Sequence, residues 1–256
     1  MATLVIPPLT AARGERFFLI SAIVMSVLVV AGFSLQLAAG RSSFGAPLRV
    51  HIHAIIFFGW VVLYLTQNIL AARGSLALHR RLGWLSLAWI PAMVAMGTYV
   101  TVLLVRLGHT PFFFQPGYFL IMDPLSVFTF AGLAAAAIVK RRQTQWHRRL
   151  MFCGMAILLG PGVGRLIPMP LLIPYAGEAV FALVILFPIA GVIRDLRVTG
   201  RVHPAWWWGL ATIAAMQFTI NLITFSAVGV GIYNAVAAGS PGANVPPLAF
   251  PPFPPH

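Results

Sequence analysis

Apolar residues run along this chain in seven stretches, each long enough to cross a bilayer and separated from the next by a short polar gap. A spanning helix needs about 20 predominantly apolar residues, and the stretches 17–40, 50–72, 83–105, 117–139, 150–169, 174–193 and 205–236 meet that length. The pattern predicts an all-α, polytopic membrane protein: a segment 1–16, a seven-helix domain 17–236 and a tail 237–256. The fifth stretch is the weakest, because Gly160, Pro161, Gly162, Gly164 and Arg165 predict a kinked or partly unwound helix. The seventh exceeds the hydrocarbon thickness and has to tilt or emerge. The first, 24 residues long, is too long for the apolar core of a signal peptide and reads as a retained helix.

Charge adds an orientation. Of the 17 Lys and Arg residues, thirteen fall in every second gap: Arg13 and Arg16, then Arg73, Arg80 and Arg81, then Lys140, Arg141, Arg142, Arg148 and Arg149, then Arg194, Arg197 and Arg201. Only Arg41, Arg49, Arg106 and Arg165 belong to the other side. The split predicts a cytoplasmic N-terminus and an external C-terminus, in a bacterial inner membrane. Trp84, Trp146 and the run Trp206, Trp207, Trp208 fall at the same inner boundary, as an interfacial belt should.

Composition agrees, with 60% apolar and 8% charged residues. The net charge of +13 is explained by topology rather than by nucleic acid, because the cations sit at the ends of apolar runs. The single cysteine, Cys153, excludes an intrachain disulfide and a cysteine metal knuckle. No Walker loop, Gly-x-Gly-x-x-Gly or His-Glu-x-x-His occurs, and the seventh stretch has no lysine for a retinal Schiff base. The tail, rich in proline from residue 239, cannot continue a helix and reads as an extended or disordered end, or as a docking strand for a respiratory or other membrane complex.

Two groups of residues carry candidate chemistry. Ionisable side chains inside lipid are costly, and Asp123, Glu178 and Arg165 all fall in the outer third of their helices, with His51 and His53 opening the second helix on that side. They form either a buried charge cluster of Arg165 with Asp123 and Glu178, or a metal site of His51, His53, Asp123 and Glu178 for zinc or another divalent ion. His53 shares one helical stripe with Trp60, Tyr64 and Gln67, which predicts that this face points inward. The second group is a repeat: His79-Arg80-Arg81-Leu82 opens the third helix and His147-Arg148-Arg149-Leu150 the fifth. Two hairpins so related suggest a central four-helix bundle, and two imidazoles brought to one plane are a natural haem ligand pair; the alternative is interfacial decoration.

The run His51, Gly59, Gln67, Arg73, His79-Arg80-x-Leu82-Gly83 resembles the signature of uncharacterised bacterial membrane families in which one helix starts with a His and the next with His-Arg-x-Leu-Gly. Those families are similar to four-helix haem-binding membrane proteins, including cytochrome oxidase assembly factors and diheme cytochromes b. The resemblance covers about helices two to five and implies haem b, with His53, His79 and His147 as ligands. This chain departs from the diheme pattern, since paired histidines at facing mid-depth positions are missing. A second resemblance, in topology, is to the membrane ceramidases and adiponectin-type receptors, which implies a histidine-held zinc; the seventh stretch here has no His to supply it. The expectation is a membrane protein that binds haem b or assists a haem or quinone redox enzyme. The alternatives are a metal- or proton-dependent enzyme or transporter using the outer groups, and a non-catalytic scaffold subunit.

Overall fold

The computed structural model describes residues 9–253, with side chains from Arg16 onward; the expected segment 1–16 and the last three residues thus fall mostly outside it. Among the described residues the structure is helical, with no strand. The helices are α1 (Leu9–Ala38), α2 (Leu48–Ala72), α3 (Leu76–Gly83), α4 (Ser86–Leu107), α5 (Pro116–Val139), α6 (Thr144–Ile157), α7 (Gly160–Gly164), α8 (Ala176–Thr199), α9 (Pro204–Thr224) and α10 (Ala227–Ala237).

Among the described residues five helices are long and apolar enough to cross a membrane: α1 from Arg16 on, α2, α4, α5 and α8. The pair α9 and α10 makes a sixth if counted as one span, although it bends by 75°. The break falls at Phe225 and Ser226, where the Ser226 hydroxyl accepts from Gly229 N at 3.2 Å and caps α10. The overlong seventh stretch is thus two helices joined at a sharp bend. The fifth stretch is broken as expected, into a 14-residue α6 and a five-residue α7. Gly and Pro at 160–162 weaken the ladder at that point.

α5 is the axle, packed against α4, α6, α9 and α10. α2 reaches it through Trp60, whose ring centroid is 5.1 Å from that of Phe130. α1 lies outside, on α2 and α7, and its approach is set by glycine. A Cβ on Gly32 would stand 2.2 Å from the Gly162 carbonyl oxygen, and one on Gly162 would stand 2.8 Å from Val29 Cα. At this crossing neither glycine has room for a side chain.

The described part of the Pro-rich tail, up to Phe253, is tied to the rest of the chain. Its backbone folds back over the arginine-poor end: Gly117 N donates to Pro247 O at 2.8 Å and Gln115 Nε2 to Leu248 O at 2.7 Å. Arg106 Nη1 donates to Val236 O at 2.7 Å, and the Tyr233 hydroxyl donates to Gly242 O at 3.0 Å. Proline removes the helical option, and the carbonyls it leaves free are taken by the starts of other elements.

Candidate functional site

At the arginine-rich end the two repeated histidines meet. The ring centroids of His79 and His147 are 6.2 Å apart and their planes cross at 87°. Each ring is held in the same way from the preceding helix. His79 Nδ1 lies 3.2 Å from Gln67 O of α2, and His147 Nδ1 lies 2.9 Å from Ala137 O of α5. A carbonyl only accepts, so each Nδ1 carries the proton and, in the neutral ring, Nε2 keeps the lone pair. Burial pushes the His147 imidazole below the ordinary histidine range; the Ala137 carbonyl works against this and His79 adds to it. An Nδ1–H fixed on a carbonyl, with Nε2 left basic, is how proteins present imidazole to a metal.

Beside the pair lies Gln67, whose amide nitrogen and oxygen are both buried without a hydrogen-bond partner. Gly83 leaves it room, since a Cβ there would stand 3.6 Å from Gln67 Nε2. The inward stripe predicted on α2 is confirmed, with Trp60 and Tyr64 buried. His53 Nδ1 and Trp60 Nε1 are also buried with no hydrogen-bond partner among the described residues. Asn68 is the exception, donating to Tyr64 O at 2.9 Å.

Sequence reasoning passed over the strongest polar site at this end. Asp195 of α8, 1% exposed, receives Arg149 through Nε at 3.0 Å and Nη2 at 2.7 and 2.9 Å. Arg194 Nη1 reaches it at 2.8 Å, Trp206 Nε1 at 3.0 Å and His203 N at 3.3 Å. Arg149 Nη1 also donates to Gln145 O at 3.1 Å and to the Gln145 side-chain oxygen. The network ties α6, α8 and the start of α9 together, and every oxygen of the carboxylate is bonded. Trp206 is accordingly buried rather than part of the belt, with its ring seated against Gly191, where a Cβ would come within 2.2 Å; Trp84, Trp207 and Trp208 are exposed as expected. Burial, with Arg149 nearby, holds the His203 imidazole below its usual range, so it stays neutral and its Nδ1 accepts from Ala205 N at 3.2 Å.

The outer constellation does not assemble as expected. His51 turns its Nε2 to Phe44 O at 3.1 Å, at the surface. His53 stacks on Phe57 with centroids 4.4 Å apart. Asp123 accepts from Thr101 Oγ1 at 3.3 Å. Glu178 is half-buried in the first turn of α8, and the Tyr118 hydroxyl accepts from Gln217 Nε2 at 3.0 Å. Arg165 contacts neither acid: its Nη1 donates to Pro161 O at 2.7 Å and its guanidinium lies 4.0 Å from the centre of the Phe33 ring. The helix break explains this, because the turn after α7 carries Arg165 toward α1. Among the described residues no three His, Cys, Asp or Glu side chains converge on one point that could hold a metal ion. Both ion pairs between described side chains fall on Asp195.

Compared with family models, with curated proteins and with solved structures, the chain finds no match.

Proposed function

We propose that this chain is a seven-pass protein of a bacterial inner membrane, with its N-terminus in the cytoplasm, whose His79 and His147 hold a haem b for electron transfer, alone or beside a haem or quinone redox enzyme. The observation that supports it is the histidine pair itself: two residues 68 positions apart, equivalent in a sequence repeat, stand 6.2 Å apart with matching Nδ1 anchors. Interfacial decoration has no reason to produce that match. The broken fifth stretch and the bent α9–α10 pair count as passes here, added to the five long helices. The thirteen-to-four split of Lys and Arg sets the direction.

A haem b bound there would supply one-electron chemistry. The chain's own part is to hold and tune. The Gln67 and Ala137 carbonyls fix the ring orientations and raise the basicity of Nε2. The exposed Arg80 and Arg81, next to His79, are placed to meet carboxylates, and the unpartnered Gln67 amide offers a donor and an acceptor beside the pair. Protein purified after haem-replete expression should show a Soret band that sharpens on reduction. His79→Ala and His147→Ala should each abolish it, whereas His203→Ala and His53→Ala should leave it in place; a colourless wild-type protein would refute the proposal. A reporter active only outside the cytoplasm should be active when fused after Ala238 and silent after Arg142, and the reverse result would overturn the orientation.

A proton-dependent transporter is the second reading, supported by Asp123, an acid within the α5 span whose carboxylate accepts from Thr101 Oγ1 at 3.3 Å and forms no ion pair among the described residues. It requires proton uptake on substrate addition that Asp123→Asn removes.

A further inference from the structure

Between α5, α6 and α9 runs a groove of about 480 Å³, open to the outside of the bundle. Gly132, Leu133 and Ala136 of α5 and Leu150 of α6 line it. Two threonines in its walls do not make it polar. Thr129 Oγ1 donates to Leu125 O at 2.7 Å and Thr212 Oγ1 to Trp208 O at 2.8 Å, so each hydroxyl proton stays on its own helix. At one mouth the character changes. Lys140 follows the last residue of α5 with its Nζ 5.7 Å from the Trp146 ring centre, and the exposed Trp208 stands at the same end. Tryptophans of this kind sit at headgroup level. From Thr129 to Lys140 the helix rises about 16 Å, close to one leaflet's share of a hydrocarbon core about 30 Å thick.

We propose that this groove holds one acyl chain of an anionic phospholipid whose phosphate rests against Lys140. Charge complementarity selects that occupant. Lys140 has no carboxylate within ion-pair distance among the described residues, and Arg141 and Arg142 follow it directly in a chain of net charge +13. A second groove, of about 470 Å³ and lined by Leu28, Val163, Leu183 and Phe187 among others, has no charged residue in its lining and serves as an internal comparison.

The test is native mass spectrometry of the full chain released from nanodiscs of equal parts phosphatidylglycerol and phosphatidylcholine. The expected result is retention of phosphatidylglycerol in preference to phosphatidylcholine. Lys140→Gln should cut that preference about fivefold, the factor one cationic side chain carries at an anionic surface. Gly132→Leu should displace both lipids by filling the groove, since a Cβ at 132 meets no atom within 4 Å and the side chain is sterically tolerated. Ala190→Leu, in the second groove, should leave the preference unchanged. Equal retention of the two lipids by the wild type would overturn the proposal, as would a preference that survives Lys140→Gln. Competition by inorganic phosphate alone, without loss on Gly132→Leu, would make this a headgroup site with no acyl chain and would also overturn it. A dimer lost on Gly132→Leu would assign the groove to a second copy of the chain instead.

Discussion

The two ends of the helical bundle treat their buried charge in opposite ways. At the arginine-rich end one carboxylate, Asp195, is enclosed by two guanidiniums, an indole N–H and a backbone N–H, all within 3.3 Å. At the other end Asp123 has a single hydroxyl at 3.3 Å, and Arg165 turns to a carbonyl and an aromatic face. Enclosure of this kind fixes geometry; it does not invite chemistry. The arginine-rich end is a rigid frame beside which His79 and His147 are held in register, while the other end keeps polar capacity that its own side chains do not use.

Breaking the frame should have the largest effect. Asp195→Asn leaves Arg149 buried without a counter-charge and should cost about 3 to 5 kcal/mol, read as a fall in thermal midpoint and in detergent-stable yield. A loss no larger than that of Arg165→Leu would mean that the network is not what holds α6, α8 and α9 together. Next comes the close approach at the other end. Gly162→Val drives a side chain into the α1 backbone and should cost about 1 to 3 kcal/mol, with Gly231→Val as a control because a Cβ at 231 meets no atom within 4 Å. The smallest expected effect, the coupling of Arg165 with Asp123, sharpens the contrast itself. A double-mutant cycle of Arg149→Leu with Asp195→Asn should give a coupling on the order of 3 kcal/mol, whereas Arg165→Leu with Asp123→Asn should give about 0.5 kcal/mol or less. Equal couplings would erase the difference between the ends.

Much of the architecture could be read from the residues. The long apolar runs became α1, α2, α4, α5 and α8, and the Gly160-Pro161-Gly162 cluster marked the broken fifth stretch. The inward face of α2 followed from period alone. Asp195 was not legible, because between Arg194 and Arg197 it looks like part of a charged helix end. Its main partner Arg149 is 46 residues away, and no local pattern specifies that pairing. The role of Trp206 hides for the same reason: a tryptophan at a boundary is ordinary until a carboxylate is found under it. Equal depth counted along the sequence also proved a poor guide, since Asp123 bonds Thr101 while Arg165 bonds Pro161 and covers Phe33. The His-Arg-Arg-Leu repeat could suggest that two histidines are equivalent, yet their contact depends on how the two hairpins pack.

That contact is the centre of the account, and electron paramagnetic resonance on the ferric purified protein tests it most directly. Two imidazoles on one iron would give a low-spin signal, and loss of either should empty the site. The account predicts a low-spin spectrum from the wild type that disappears in both His79→Ala and His147→Ala and persists in His203→Ala. A low-spin signal that survives His147→Ala would contradict it, as would the complete absence of iron from protein made with haem in excess.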